Sequence, residues 1–300
     1  MRVLITSLIF ISLVGCVSAP YRDDYTAHID NISEYYDEET INFVLVGEES
    51  PDIRGIYAND DTTVSSPVLY QGVGGLAGLI AQIGTHASII NSQRNSKLAE
   101  AQALADAEIE PLINAAKEIK LSGLMDTEIS GSDENISAPT VVKIKPIFFA
   151  SSSMDKISLN MIVWIDKKGS SEGDKPKYQN LIQVFSKRLS TEQSEILAKG
   201  DKQLFTEIMA SLLNTSLQIA KADLTGKYAN VSTPEKTHLV EKHYGEKVVR
   251  GSVVDQTCEY TVIRDIHSWF IAHSRVISIA QEKDTKDGCI ATALAETTGI

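Results

Sequence analysis

Six histidines, three cysteines and 40 acidic side chains are the groups in this 300-residue chain able to do proton, metal or thiol chemistry. Their spacing assembles few of them. His238 and His243 stand five apart around Glu241, whereas a helical zinc pair needs H-E-x-x-H, which sets both imidazoles on one face. His267 and His273 are six apart on or beside an expected strand, and nothing nearby completes a triad. Carboxylate pairs such as Asp60-Asp61 fall in polar loops, where solvation leaves them ordinary. Asp23-Asp24 and Asp37-Glu38-Glu39 offer hard oxygen ligands without the spacing of a calcium loop. Gly72-Val73-Gly74-Gly75-Leu76-Ala77 fits G-x-G-x-x-A, but a dinucleotide site needs a following strand with an acid about 20 residues on. Here the chain continues as an expected helix, with Glu100 inside it. No catalytic residue, metal ligand or cofactor is assigned, and a site assembled from distant residues stays open.

The N-terminus carries a clearer signal. Met1-Arg2 is followed by an uncharged run from Val3 to Val14, too short to span a bilayer, which takes about 20 apolar residues. The run ends in Leu13-Val14-Gly15-Cys16. That tetrapeptide resembles the lipobox of bacterial lipoproteins, which are cleaved before the cysteine. The resemblance implies that residues 1–15 are a signal peptide and that Cys16 becomes the lipid-bearing first residue. Several acyl chains at about 0.8 kcal/mol per buried CH₂ would hold such a protein on the membrane permanently. Val17 stands where an Asp would resemble an inner-membrane retention signal. The expected location is therefore the outer membrane of a Gram-negative envelope, facing the periplasm. Cys258 and Cys289 remain, and in an oxidising compartment an even pair reads as a disulfide.

A formal charge of −12 argues against nucleic acid, which needs clustered Lys and Arg. The charge is concentrated: between residues 21 and 61 there are twelve acids and two bases. Residues 16–39 read as an acidic flexible tether, poor in aliphatic side chains and without sustained periodicity. They hold four of the ten tyrosines, which suit docking on the body or on a partner.

The elements that must position any site follow from periodicity. Residues 40–228 read as an α+β body, an antiparallel sheet packed by long helices. Its strands are expected at 41–47, 53–58, 141–150, 156–166 and 177–189, the fourth with Ile157, Leu159, Met161, Val163 and Ile165 alternating onto one face. A helix is expected over 92–123, kinked or restarted at Pro111. A second follows Ser190 and Gln193, which have the spacing of a capping box. Residues 235–300 read as a small, separate β-rich unit closed by the Cys258–Cys289 bridge.

From Thr62 to Gln93 there is no charged residue. Two readings of its glycine-rich part remain. One is a small-residue helix packed inside the body. The other is contact with a membrane or partner through Gly74, Gly78, Leu79 and Ile83, where Gly74-xxx-Gly78 permits close helix approach. The expected function is non-catalytic: an envelope component acting through protein–protein contacts. The alternatives are a lipoprotein that holds an apolar ligand or lipid, and a hydrolase with a dispersed site.

Overall fold

Ile157, Leu159, Met161, Val163 and Ile165 are all buried, as are Ser158 and Asn160 between them, and that strand marks the centre of the molecule. The computed structural model of the chain describes residues 25–56, 99–125, 140–167, 169, 174–231 and 233–274. In chain order its strands are β1 (Ile29–Asp30), β2 (Ile41–Leu45), β3 (Asp52–Gly55), β4 (Thr140–Ala150), β5 (Ile157–Ile165), β6 (Tyr178–Phe185), β7 (Lys236–Lys242), β8 (Gly245–Gln256), β9 (Tyr260–Asp265) and β10 (Phe270–Ser274). Its helices are α1 (99–108), α2 (Glu110–Ala116), α3 (Thr191–Ala198) and α4 (Lys202–Leu224).

β4, β5 and β6 form the expected antiparallel meander. The strands around it do not continue that pattern. β2 and β3 both pair with β4 in parallel, and β10 pairs with β6 in parallel. The result is one mixed ten-stranded sheet, ordered β2-β4-β5-β6-β10-β9-β8-β7, with β1 on β6 and β3 on β4. This corrects the expected all-antiparallel α+β fold. Parallel neighbours need long crossover connections: residues 56–139 supply one, and α3, α4 and the β7–β9 strands supply the other.

The separate C-terminal unit is also corrected. Its strands belong to the main sheet, joined through Phe270, Ile271 and Ala272 against Ile182, Gln183 and Val184. Cys258 is disulfide-bonded, and Cys289, its expected partner, lies outside the described residues.

α4 covers one face of the meander. Asp201 caps it by accepting from the Leu204 N–H at 2.8 Å, and Phe205, Met209, Leu212, Leu213 and Leu217 meet β5 and β6 in the main core. The Ser190–Gln193 capping box is present in both directions. The long helix expected over 92–123 is broken as Pro111 requires: α1 ends at 108 and α2 starts at Glu110, with Pro111 in its first turn.

The other face of the sheet is covered by the sheet itself. β7 is last in strand order, yet Glu241 reaches Lys156 and Arg188. His243 bonds to the Phe149 backbone, and Tyr244 donates to the Ile56 carbonyl. Strands β10 to β7 therefore curl back over β4–β6. A second apolar cluster of Phe185, Val240, Val249, Ile263 and Ile271 lies in the fold of that curl. Gly251 permits the tight bend, because a Cβ there would stand 2.4 Å from the Arg264 carbonyl oxygen.

Residues 25–39 of the expected tether run along the body. β1 pairs with β6, the Tyr36 N–H donates to the Leu224 carbonyl, and Trp269 Nε1 donates to the Thr26 carbonyl at 2.9 Å. Three of the clustered tyrosines are thereby placed against the body: Tyr25 on Trp269, Tyr36 on the main core and Tyr35 beside Gly226.

Candidate functional site

The tip of the β7–β8 hairpin is pinned by charge. Lys156, 1% exposed, pairs through Nζ with Glu241 Oε2 at 3.1 Å. Arg188 donates from Nε to Glu241 Oε1 at 2.7 Å and from its other end to Asp155. Ser151 and Ser153 donate to Asp155 Oδ1 at 2.8 and 2.6 Å. Burial pushes the Lys156 ammonium down, against the pull of Glu241. Burial pushes the Glu241 carboxyl up, but the bonds from Arg188 and Lys156 outweigh it and hold the group below the usual range. Beside this clamp His243 is buried with its ring edge-on to Phe185 at 5.9 Å. Its Nε2 has no hydrogen-bond partner, and burial lowers its pKa to about 4.

Between the curled strands and the turn joining β9 to β10 lies a cleft of about 260 Å³. Gln183 comes from β6, Asp265 from β9 and Lys242 from β7, while His267 and Trp269 come from the turn and Tyr25 from the N-terminal arm. The rings of Tyr25, Trp269 and His267 form a row, with neighbouring centroids 5.8 and 5.0 Å apart.

A second groove, about 330 Å³, opens on the helix side between α4 and the ends of β6 and β10. Leu189, Leu204, Ile208, Leu212 and Tyr260 make its floor and walls. A buried polar nest fixes the far end of α4: Tyr178 donates to Asp223 Oδ2 at 2.6 Å, next to Asn180, whose Nδ2 is unpartnered. Burial raises both the Tyr178 hydroxyl and the Asp223 carboxyl. This nest faces neither groove nor cleft.

Among the exposed polar residues of the hairpin stand a few apolar ones. Leu239 and Val248 are direct register partners, 60% and 70% exposed, and Ile266 on the neighbouring turn is 61% exposed. The turn is tied on by the Ile266 N–H, which donates to the Arg250 carbonyl at 3.2 Å.

Of the residues singled out in the sequence, Cys16, Cys289, Gly74, Gly78, Leu79 and Ile83 lie outside the described residues. Cys258 stands in the turn before β9. His238 and His243 lie on β7 and its turn, not on a helix, and His238 Nε2 meets the Gly251 carbonyl at 3.2 Å. His267 and His273 are parted by the β9–β10 turn and β10. Among the described residues no group of His, Cys, Asp or Glu could hold a metal, and no helix is long and apolar enough to cross a membrane.

Two further motif spacings occur in the chain. Ser153-Met154-Asp155-Lys156 fits S-x-x-K. It occupies a hairpin turn with Met154 at φ 53°, Ser153 is bonded to Asp155, and Lys156 is held by Glu241. Gly169-Ser170-Ser171-Glu172-Gly173 fits G-x-S-x-G; a nucleophile elbow needs a following helix, whereas the next described element in the chain is the strand β6, and Ser170 to Gly173 lie outside the described residues. The Lys156 clamp itself is announced only by Lys156, Ser158 and Asn160 alternating with apolar residues on β5, a pattern that reads as a solvated face. Compared with known protein families, with curated proteins and with solved structures, the chain matches none.

Proposed function

We propose that the protein is a lipid-anchored, non-catalytic component of the outer membrane that faces the periplasm and works by holding another envelope protein. The observation that carries this reading is the exposed apolar strip of Leu239, Val248 and Ile266 on a hairpin clamped by buried charge. Contiguous exposed apolar side chains on a folded protein mark contact surfaces. A rigid presenting hairpin lowers the ordering cost of association. The charged groups of the clamp, Lys156, Arg188, Asp155 and Glu241, are bound to one another, as structural ions are.

The lipobox supports the anchor. Cys16→Ser is expected to abolish acyl labelling and move the protein from the outer-membrane fraction to the soluble periplasm. The contact is tested by cross-linking pulldown of the lipidated protein beside a Leu239→Glu/Val248→Glu variant. A specific envelope partner recovered with the former and lost with the latter is expected. Recovery of no envelope partner, or of the same partner with both, overturns the reading.

The helix-side groove favours a second reading, a binding lipoprotein for an apolar ligand. Its aliphatic walls and 330 Å³ suit an acyl chain or similar molecule. Native mass spectrometry of detergent-free protein lacking the Cys16 lipid separates the two readings. A co-purified apolar molecule, displaced by Ile208→Trp, supports ligand binding.

A further inference from the structure

Three charged side chains line the cleft beside the β9–β10 turn: Arg250, which pairs with Glu235 at 3.4 Å, and Lys242 and Asp265, neither of which forms an ion pair among the described residues. Lys242 is half-buried with Nζ over the Phe185 ring, 5.2 Å from its centroid, and its ammonium makes no hydrogen bond or ion pair among the described residues. Asp265, also half-buried, accepts from the His267 and Trp269 N–H groups at 2.9 Å each, both through Oδ1. No cation pairs with it, and Lys242 does not come close enough to form a salt bridge, although the two feel one another's charge. A half-buried charge without an ion pair gains from a ligand that supplies the opposite charge, and Lys242 and Asp265 offer one of each sign in a single cleft.

The rest of the lining narrows the ligand. An anion alone would satisfy Lys242 and be repelled by Asp265; a cation alone would do the reverse. The aromatic row of Tyr25, Trp269 and His267 offers a stacking wall, and Trp is the best ring for an adjacent ammonium. Gln183 donates from Nε2 to Asn160, which orients its amide in the cleft wall. A volume of about 260 Å³ admits a molecule of the size of one amino acid.

We propose that this cleft binds a small zwitterion of the aromatic amino-acid class, with its carboxylate on Lys242, its ammonium on Asp265 and its ring against Trp269. Val248 and Ile266 of the apolar strip also line this cleft, but the proposal does not rest on the partner-binding function.

The chain has two tryptophans, Trp164 on β5 and Trp269 in the cleft. A Trp164→Phe background of the full mature chain makes Trp269 the sole reporter. L-Phenylalanine titrated into it is expected to give a saturable fluorescence change. Phenylacetate and phenethylamine, each lacking one of the two charges, should bind at least about tenfold more weakly. Lys242→Met keeps the apolar stem, and Asp265→Asn keeps the oxygen that holds the turn. Each should weaken L-phenylalanine by about tenfold or more with an unchanged thermal melt. The proposal is overturned by no saturable change with L-phenylalanine up to about 10 mM, a ceiling for weak binding. It is equally overturned if either half-ligand binds as tightly, or if both folded variants bind like the parent.

Discussion

Glu241 is the residue on which the curled hairpin depends most. It accepts from Arg188 while pairing with a lysine that is 1% exposed, so removing its charge strands an ammonium inside the protein. Breaking a buried pair from one side costs about 3–5 kcal/mol, far more than the fraction of a kcal/mol that an exposed pair contributes. Glu241→Gln is therefore expected to lower unfolding stability in urea by about 3 kcal/mol. Adding Lys156→Met should restore much of it, since the stranded charge is then gone. His243 sets a pH dependence at the same place. Its folded pKa of about 4 lies below its ordinary 6.5, so the unfolded chain binds the extra proton first as the solution is acidified. Stability from this group is fully present above pH 6.5, falls between 6.5 and about 4, and levels off below; the total is about 3 kcal/mol. Asp223 and Asp265, with raised carboxyl pKa values, act in the opposite sense over the carboxylate range. The difference between the parent and His243→Phe, followed by urea melts across that window, isolates the histidine: the variant's profile should lack the fall.

At the scale of elements, the close approach of α1 to β3 rests on a missing side chain. A Cβ on Gly55 would lie 2.0 Å from the Ala105 carbonyl oxygen, a backbone atom that cannot swing away. The contact is completed by Asp106, which accepts from the Gly55 N–H at 2.7 Å, and by Gln102, which donates to the Gly55 carbonyl at 2.8 Å. Gly55→Ala should therefore displace α1 and cost about 2 kcal/mol or more, seen as a lowered melt and faster amide exchange over 99–108. Strands and helices of this kind were legible where one periodicity dominates. Ile157 to Ile165 and Phe205 to Leu217 declare a half-buried strand and an amphipathic helix, and Pro111 declares the break. Pairing direction was not legible, because parallel and antiparallel partners of β4 and β6 present the same alternation. β7 was missed as well: Lys236-Thr237-His238-Leu239-Val240-Glu241-Lys242 carries charge at both ends and a single buried aliphatic, Val240. The site is hidden by the same cause. Lys156 is buried beside Glu241 of β7, far along the chain, and no local pattern carries that information.

The whole molecule is one sheet used twice, once as the floor under α4 and once as its own cover. Such a sheet should unfold as a unit, because the β6–β10 ladder and the Glu241 clamp tie the curled part to the meander at both ends. Calorimetry of the described fold is expected to show a single transition. Two, with the strands after residue 235 melting first, would mean that the curled part folds independently. The charge distribution fits the proposed setting: the acids of residues 21–61 lie close to the expected anchor at Cys16 and leave the rest of the chain near neutrality. The most direct test of this account is site-specific photo-cross-linking in cells from Val248 of the lipidated protein, with Glu192 on α3 as an exposed control. A discrete adduct with another envelope protein from 248, absent from 192 and lost when Leu239→Glu is added, is the expected result; no adduct from 248, or the same adduct from both positions, contradicts it.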